Sequence, residues 1–319
     1  MSDPAAAMRL PNLVIVGVGK AGTTSLFHYL RQHPDICGSD IKELRFLNPL
    51  RRGEALGPLA DYASHFTACG DQTYAMEATP GYFYGGAPLA HGLRGISPQA
   101  HALLSLRQPA DRCWSWFQFV KSRTRIPKDM SFSDYLDRCE ELHEQGTDGD
   151  VDNQPFWGLG GGCYATWIDA WVAEMRDRLR VVFFDDVVAD PRSCVTGICD
   201  WLGIDTAVVG DFTFSVTNKT EQYRNRSIQK GAVVVNRSGE RFFHRHPTAK
   251  RLLRRAYYSA NKAPPHPTMS RRERDRLTAF YRPHTARLAE QLNGLGLDLP
   301  PAWTQPAPPH SAREGDHRT

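Results

Sequence analysis

The segment from Leu13 to Leu30, LVIVGVGKAGTTSLFHYL, constrains the fold of this chain more than any other. An uninterrupted apolar run passes into glycines, a lysine and three hydroxyls, and then into a helical spacing of apolar residues. A short strand that is apolar at every position belongs inside a parallel sheet covered on both faces. A glycine turn between that strand and a helix presents backbone N–H groups at the positive end of the helix dipole, and so forms an anion cradle.

The same alternation continues downstream. Apolar, β-rich runs at 75–78, 102–106 and 181–184 are separated by helical patterns at 23–32, 109–122, 132–144, 164–179 and 192–202, with another at 277–292. Strand alternating with helix predicts βαβ units and an α/β fold. One domain is expected over 11–303, with a flexible start at 1–10 and a Pro-rich, disordered tail at 304–319. Residues 145–162, acidic and then glycine-rich, read as a surface loop.

A net charge of +4 over 319 residues suits anionic ligands but is too small to indicate a nucleic-acid partner. No apolar run reaches the roughly 18–20 residues of a membrane span. The start lacks the pattern of a secretory signal. Seven scattered cysteines show no CxxC and no zinc spacing, so reduced thiols and a cytoplasmic location are expected.

Three readings of the cradle compete. Gly17, Gly19 and Gly22 fit the dinucleotide pattern G-x-G-x-x-G, which also needs an acid closing the next strand. Asp35 and Asp40 are near but close no clean apolar strand. A Walker-type loop has related parts in another order, and a kinase or NTPase of that type needs a strand-terminal acid for Mg²⁺. The run at 102–106 ends in Arg107 instead, whereas 181–184 leads to Asp185 and Asp186. Those two acids also suit a turn in which Asp186 caps a short helix. The third reading is a site for a 5′-phosphosulfate, with Lys20 as the mobile cation and Thr23, Thr24 and Ser25 as hydroxyl donors beside Ala21 and Gly22.

The stretch GVGKAGTTSLFHYLRQHPDI resembles the phosphosulfate loop of the heparan sulfate N- and 3-O-sulfotransferases and related bacterial sulfotransferases. The resemblance implies a P-loop NTPase-like three-layer sandwich around a central parallel sheet. It also implies 3′-phosphoadenosine 5′-phosphosulfate (PAPS) as co-substrate, released as 3′-phosphoadenosine 5′-phosphate, with no metal needed. The acceptor would be a hydroxyl or amine on a small molecule or sugar.

A second anion site is expected in LSLRQPADRCWSWFQFV, residues 104–120. A strand-terminal guanidinium at Arg107 and a hydroxyl at Ser115, two turns into the next helix, can grip one phosphate from two sides. In the family this Arg-x7-Ser pattern holds the 3′-phosphate, and the neighbouring aromatic lies against adenine, which implies Trp116. A general base must stand within reach of the acceptor proton. In IKELRFLN, Glu43 matches the family's glutamate and Phe46 its first phenylalanine, while Arg45, Leu47 and Asn48 replace His, Phe and Asp. Glu77, in EATPGYF, is the other carboxylate of interest. There Ala78 replaces a family lysine, and Arg45 is a candidate substitute cation.

Tyr164, Trp167, Trp171 and Trp201 read as core or cleft-wall residues. Arg224, Arg226 and Lys230 are candidates for a loop closing over the cofactor. The arginines of 251–276 suit a charged helix face, an anionic acceptor or a membrane surface.

Overall fold

In a computed structural model, residues 8–215 and 268–304 are described. The helix and strand numbers below run over those residues alone. Five strands, β1 (Leu13–Gly17), β2 (Ile36–Gly38), β3 (Tyr74–Ala78), β4 (His101–Leu106) and β5 (Leu179–Phe183), form one parallel sheet in the order β2-β3-β1-β4-β5. Its register aligns Val14 with Glu77 and with Ala102.

The apolar run of β1 is buried at every position because both faces of the sheet are covered. Val14 and Val16 join one core with α3 (Gly86–Ile96) and α6 (Ile168–Met175), while Leu13 and Ile15 join another with α1 (Thr23–Leu30) and α8 (Pro191–Leu202). The alternation is the period-two geometry of a strand. The result is the expected three-layer α/β sandwich.

A satellite core joins α4 (Pro109–Ser122) and α5 (Phe132–Glu144) to the long α9 (Arg271–Asn293). Sequence signals set these starts. The Gln108 side chain accepts the Asp111 N–H before Pro109 at the first helical position. Ser131 with Asp134, and Ser270 with Glu273, form capping boxes. On α9, Arg274 pairs with Asp111 at 2.8 Å, and Arg276 pairs with Asp137 and Glu140 at 2.7 and 2.6 Å. This part of the arginine-rich segment is a charged helix face tied to its neighbours. The remaining helices are α2 (Leu59–Ala63) and α7 (Phe184–Ala189).

Four expectations are corrected. Cys37 and Cys69 form a disulfide, so the seven cysteines are not all reduced thiols. Residues 145–162 are not wholly surface: Gly158 and Gly160–Gly162 are buried, and a Cβ on Gly161 would lie 2.5 Å from Arg112 Nη2. The pattern at 164–179 breaks into a 3₁₀ turn, α6 and a second 3₁₀ turn. Asp186 does not cap, because α7 begins at Phe184 with no side-chain cap, leaving Asp185 and Asp186 in its first turn. Tyr164 and Trp171 are buried, and Trp167 and Trp201 half-buried, as core and cleft-wall residues should be. No described helix is long and apolar enough to cross a membrane. Most of 1–10 and 304–319 lies outside the described residues, as do Arg224, Arg226 and Lys230.

Candidate functional site

In an open parallel sheet, ligands bind outside the carboxyl ends of the strands, where neighbouring connections diverge. β1 lies between β3 and β4, and the carboxyl ends of all three carry predicted site residues. The loop after β1 turns at Lys20 (φ 75°) and Gly22 (φ 77°). Gly22 is the N-cap of α1 and offers no side-chain cap, and the first turn holds no acid. A Cβ at Gly22 would also lie 2.9 Å from Phe184, so both the dihedral and the space require glycine. The loop is anchored from β4: Val18 donates to the Ser105 carbonyl at 2.8 Å, and the Ser105 hydroxyl donates to the Ala21 carbonyl at 2.6 Å. Thr23 is buried, Thr24 and Ser25 are half-buried, and none of their hydroxyls bonds a described residue. The α1 N-terminus therefore keeps its N–H and O–H donors available.

Cations converge on this loop. Arg107 donates to the Lys20 carbonyl at 3.0 Å and lies 4.5 Å from the Phe184 ring centre. The Tyr164 hydroxyl fixes the Arg107 backbone carbonyl at 2.8 Å. The Lys20 ammonium sits 4.8 Å from the Phe119 ring centre, and Arg123 lies 5.6 Å from the same ring. Burial, reinforced by the like charges of Arg107, Arg112 and Arg123, pushes Lys20 down from its ordinary 10.5 to about 8. Burial likewise lowers Arg107.

Arg112 is a site residue that the sequence reading missed. It is fully buried, donates to the Gly158 carbonyl at 3.0 Å, and leaves Nε and Nη2 without partners. Its guanidinium carbon lies 5.4 Å from the Trp116 ring centre and 5.7 Å from that of Tyr84. None of the enclosed cations Lys20, Arg107 and Arg112 forms an ion pair among the described residues. A buried charge without a counter-charge is costly, so this cluster calls for an anion. Helical spacing was the available signal: Arg112 stands three and four residues before Ser115 and Trp116, on one face of α4 with Phe119 and Arg123.

Trp116 is half-buried and close to the loop, since a Cβ on Gly19 would lie 3.7 Å from it. Its indole N–H donates to the Pro155 carbonyl at 3.1 Å. Ser115 is half-buried, and its hydroxyl bonds no described residue.

The residues around Glu43 are stitched to the end of β3. Glu43 N–H donates to the Ala78 carbonyl at 3.0 Å, Arg45 N–H to Thr79 Oγ1 at 3.2 Å, and Leu47 N–H to Tyr82 Oη at 3.2 Å. Glu43 (φ 67°) and Arg45 (φ 57°) are both left-handed. Such backbone costs on the order of 1–3 kcal/mol per residue and persists only where the surroundings impose it. The Glu43 carboxylate is 42% exposed and pairs with Lys42 at 3.6 Å and Arg45 at 3.0 Å. Glu43 is therefore exposed and held by two cations rather than enclosed. Lys42 is the more enclosed cation, with its side chain 18% exposed. Burial lowers its pKa, opposed by Glu43 and Glu77. Lys42 is thus enclosed where Arg45 is exposed, and it lies within electrostatic reach of Glu77, next to Ala78.

Glu77 is fully buried and cannot meet an acceptor directly. Tyr62 donates to its Oε1 at 2.7 Å and Thr79 to its Oε2 at 3.2 Å. Burial raises its carboxyl to about 7, against the hydrogen bonds of Tyr62, Tyr82 and Thr79.

The Mg²⁺ reading gains nothing from this geometry. Asp185 Oδ2 accepts from the Trp303 indole at 3.2 Å, and β4, beside β1, is followed by the cation Arg107 rather than an acid. Among the described residues no group of three acids, histidines or cysteines is placed to hold a metal.

A sulfotransferase domain profile matches residues 10–288. The chain belongs to the sulfotransferase family. It is 28% identical to mouse heparan sulfate glucosamine 3-O-sulfotransferase 6 over 278 residues, covering 86% of this chain and 70% of that protein. It is 30% identical over 150 residues to the membrane-associated sulfotransferase kil1 of Dictyostelium discoideum, covering 43% of this chain and 31% of kil1. In structure it resembles a sulfotransferase from Alicyclobacillus acidocaldarius, with TM-score 0.65 and 22% identity over 93% of this chain and all of the other. That likeness supports the P-loop-like architecture.

Proposed function

We propose that the chain moves a sulfuryl group from PAPS to a hydroxyl or amine of a small-molecule or carbohydrate acceptor. The observation that carries this reading is the convergence of Lys20, Arg107 and Arg112, none ion-paired, on a helix N-terminus that keeps its donors free. This donor set fits a nucleotide with anionic groups at both ends, and the orphaned nitrogens of Arg112 fit a site that supplies positive potential. When bound, PAPS supplies the sulfuryl group and departs as 3′-phosphoadenosine 5′-phosphate.

In this reading Lys20 and the N–H groups from Gly22 to Ser25, with the hydroxyls of Thr23, Thr24 and Ser25, hold the 5′ end, while the Ala21 N–H is given to the Val18 carbonyl at 3.2 Å. Lys20 neutralises charge growing on the bridging oxygen. Loss of one such donor typically costs about 2.7–4 kcal/mol of barrier. Arg107 and Ser115 hold the 3′-phosphate, and Trp116 gives adenine a stacking surface. Glu43 takes the acceptor proton, with Lys42 and Arg45 paired to its carboxylate. The protein's cations do the work that Mg²⁺ does in phosphoryl transfer. Residues 11–303 act as one domain. The Cys37–Cys69 bond favours an oxidising compartment over a cytoplasmic one.

Calorimetric titration tests the assignment. 3′-Phosphoadenosine 5′-phosphate should bind at least about tenfold more tightly than AMP, because a hydrogen bond to a charged group contributes about 1.5–3 kcal/mol. Equal affinities, or a preference for ATP, would overturn it.

A further inference from the structure

Glu77 lies beneath the Glu43 segment, buried and unable to meet any substrate, yet three hydroxyls converge on it. Two of these have a second task. Thr79 Oγ1 accepts the Arg45 N–H, and Tyr82 Oη accepts the Leu47 N–H. A hydroxyl has one hydrogen to give, and the direction it gives it fixes where its lone pairs face. Because Thr79 donates to Glu77 Oε2, and Tyr82 bears on the same carboxylate, their lone pairs are left for the two amides. Tyr62 donates to the other oxygen and stacks flat on Phe46, at 4.2 Å between centroids and 5° between planes. Every second residue from 43 to 47 is therefore tied down: Glu43 to a β3 carbonyl, Arg45 and Leu47 through hydroxyls answering to one carboxylate, with Phe46 clamped between.

We infer that Glu77 is a positioning residue, which aims the Glu43 carboxylate by ordering the hydroxyls of Thr79, Tyr82 and Tyr62 that hold residues 45–47. The inference rests on the reading of Glu43 as the base. A neutral amide at position 77 can donate to a hydroxyl, turning that hydroxyl's hydrogen toward the amide it should accept from. Glu77→Gln therefore disorders the segment with little change of volume.

Hydrogen–deuterium exchange on the full chain measures this directly. Glu77→Gln and Thr79→Ala should each speed exchange of peptides spanning 43–48 by at least about tenfold, and Thr79→Ser should restore protection. Calorimetry with 3′-phosphoadenosine 5′-phosphate should give the same affinity in all of these variants. With labelled PAPS and 4-nitrophenol as a hydroxyl probe, kcat should fall by up to about 100-fold at unchanged KM for the donor. Unchanged exchange in Glu77→Gln, or kcat equal to wild type, would overturn the inference. Should Glu77→Gln fail to fold, Thr79→Ala and Tyr82→Phe carry the same test. Failure of the wild type to bind the nucleotide would sink the sulfotransferase reading instead and leave the exchange result standing.

Discussion

Lys20 makes nucleotide binding take up a proton above neutral pH. Its ammonium is driven from 10.5 to about 8 by burial, with the charges of Arg107, Arg112 and Arg123 adding to the effect. At about 1.4 kcal/mol per pH unit, that is on the order of 3 kcal/mol of penalty on the charged form. The 5′-phosphate beside Lys20 reverses the balance and returns its pKa toward the ordinary value. Near pH 7 Lys20 is already about 90% protonated, so binding takes up roughly 0.1 proton; near pH 9 it takes up roughly 0.9. The dissociation constant of 3′-phosphoadenosine 5′-phosphate should rise about tenfold between those two conditions. Calorimetry in buffers of different ionisation enthalpy reads both quantities, and Lys20→Met supplies the control in which both vanish. For stability the sign is opposite to that of an ion-paired lysine. The folded state holds fewer protons than the unfolded chain between about 8 and 10.5, so the penalty is full below about 8 and is relieved as pH rises through that window. A flat affinity from neutral to alkaline pH, with no proton uptake, would refute the placement of Lys20 against the 5′-phosphate.

Other outcomes follow from the same geometry. Glu43→Gln should abolish transfer from labelled PAPS while calorimetric affinity for the nucleotide stays within about twofold, because the carboxylate acts on the acceptor. Trp116→Ala should weaken 3′-phosphoadenosine 5′-phosphate by about 1–3 kcal/mol, the usual contribution of a base stack, and a smaller loss would remove adenine from that ring. Gly22→Ala should lower Tm and nucleotide affinity together, since left-handed backbone costs about 1–2 kcal/mol and the new Cβ meets Phe184 at 2.9 Å. Treatment with EDTA should leave the transfer rate unchanged, whereas its loss would favour the Mg²⁺-dependent alternative.

Where local chemistry alone decides an element, the sequence was readable. The bounds of β1, α4 and α5 follow from an unbroken apolar run, from Gln108-Pro109 and from the Ser131 capping box. The loop after β1 was readable because glycines, a lysine and hydroxyls are adjacent in the chain. What escaped depended on distant partners. β2 is three residues long and exists by pairing with β3. α3 opens on glycines and contains a proline, and packing against α6 sustains it. Cys37 meets Cys69 only because the intervening chain returns to the edge of the sheet. Glu77 reads as a candidate base until its burial and three hydroxyl partners are seen. Arg112 reads as one more polar position on a helix until the glycines of 158–161 close over it.

That sealed guanidinium makes the thermal behaviour of the whole molecule answer to its ligand. An anion settling above α4 shields Lys20, Arg107 and Arg112 at once and has nothing comparable to bind in the unfolded chain. Melting temperature should therefore climb with the logarithm of nucleotide concentration, by about 2.7 kcal/mol of added stability at a hundredfold excess over the dissociation constant. A simple melting curve thus becomes a screen for the donor that requires no knowledge of what accepts the sulfuryl group.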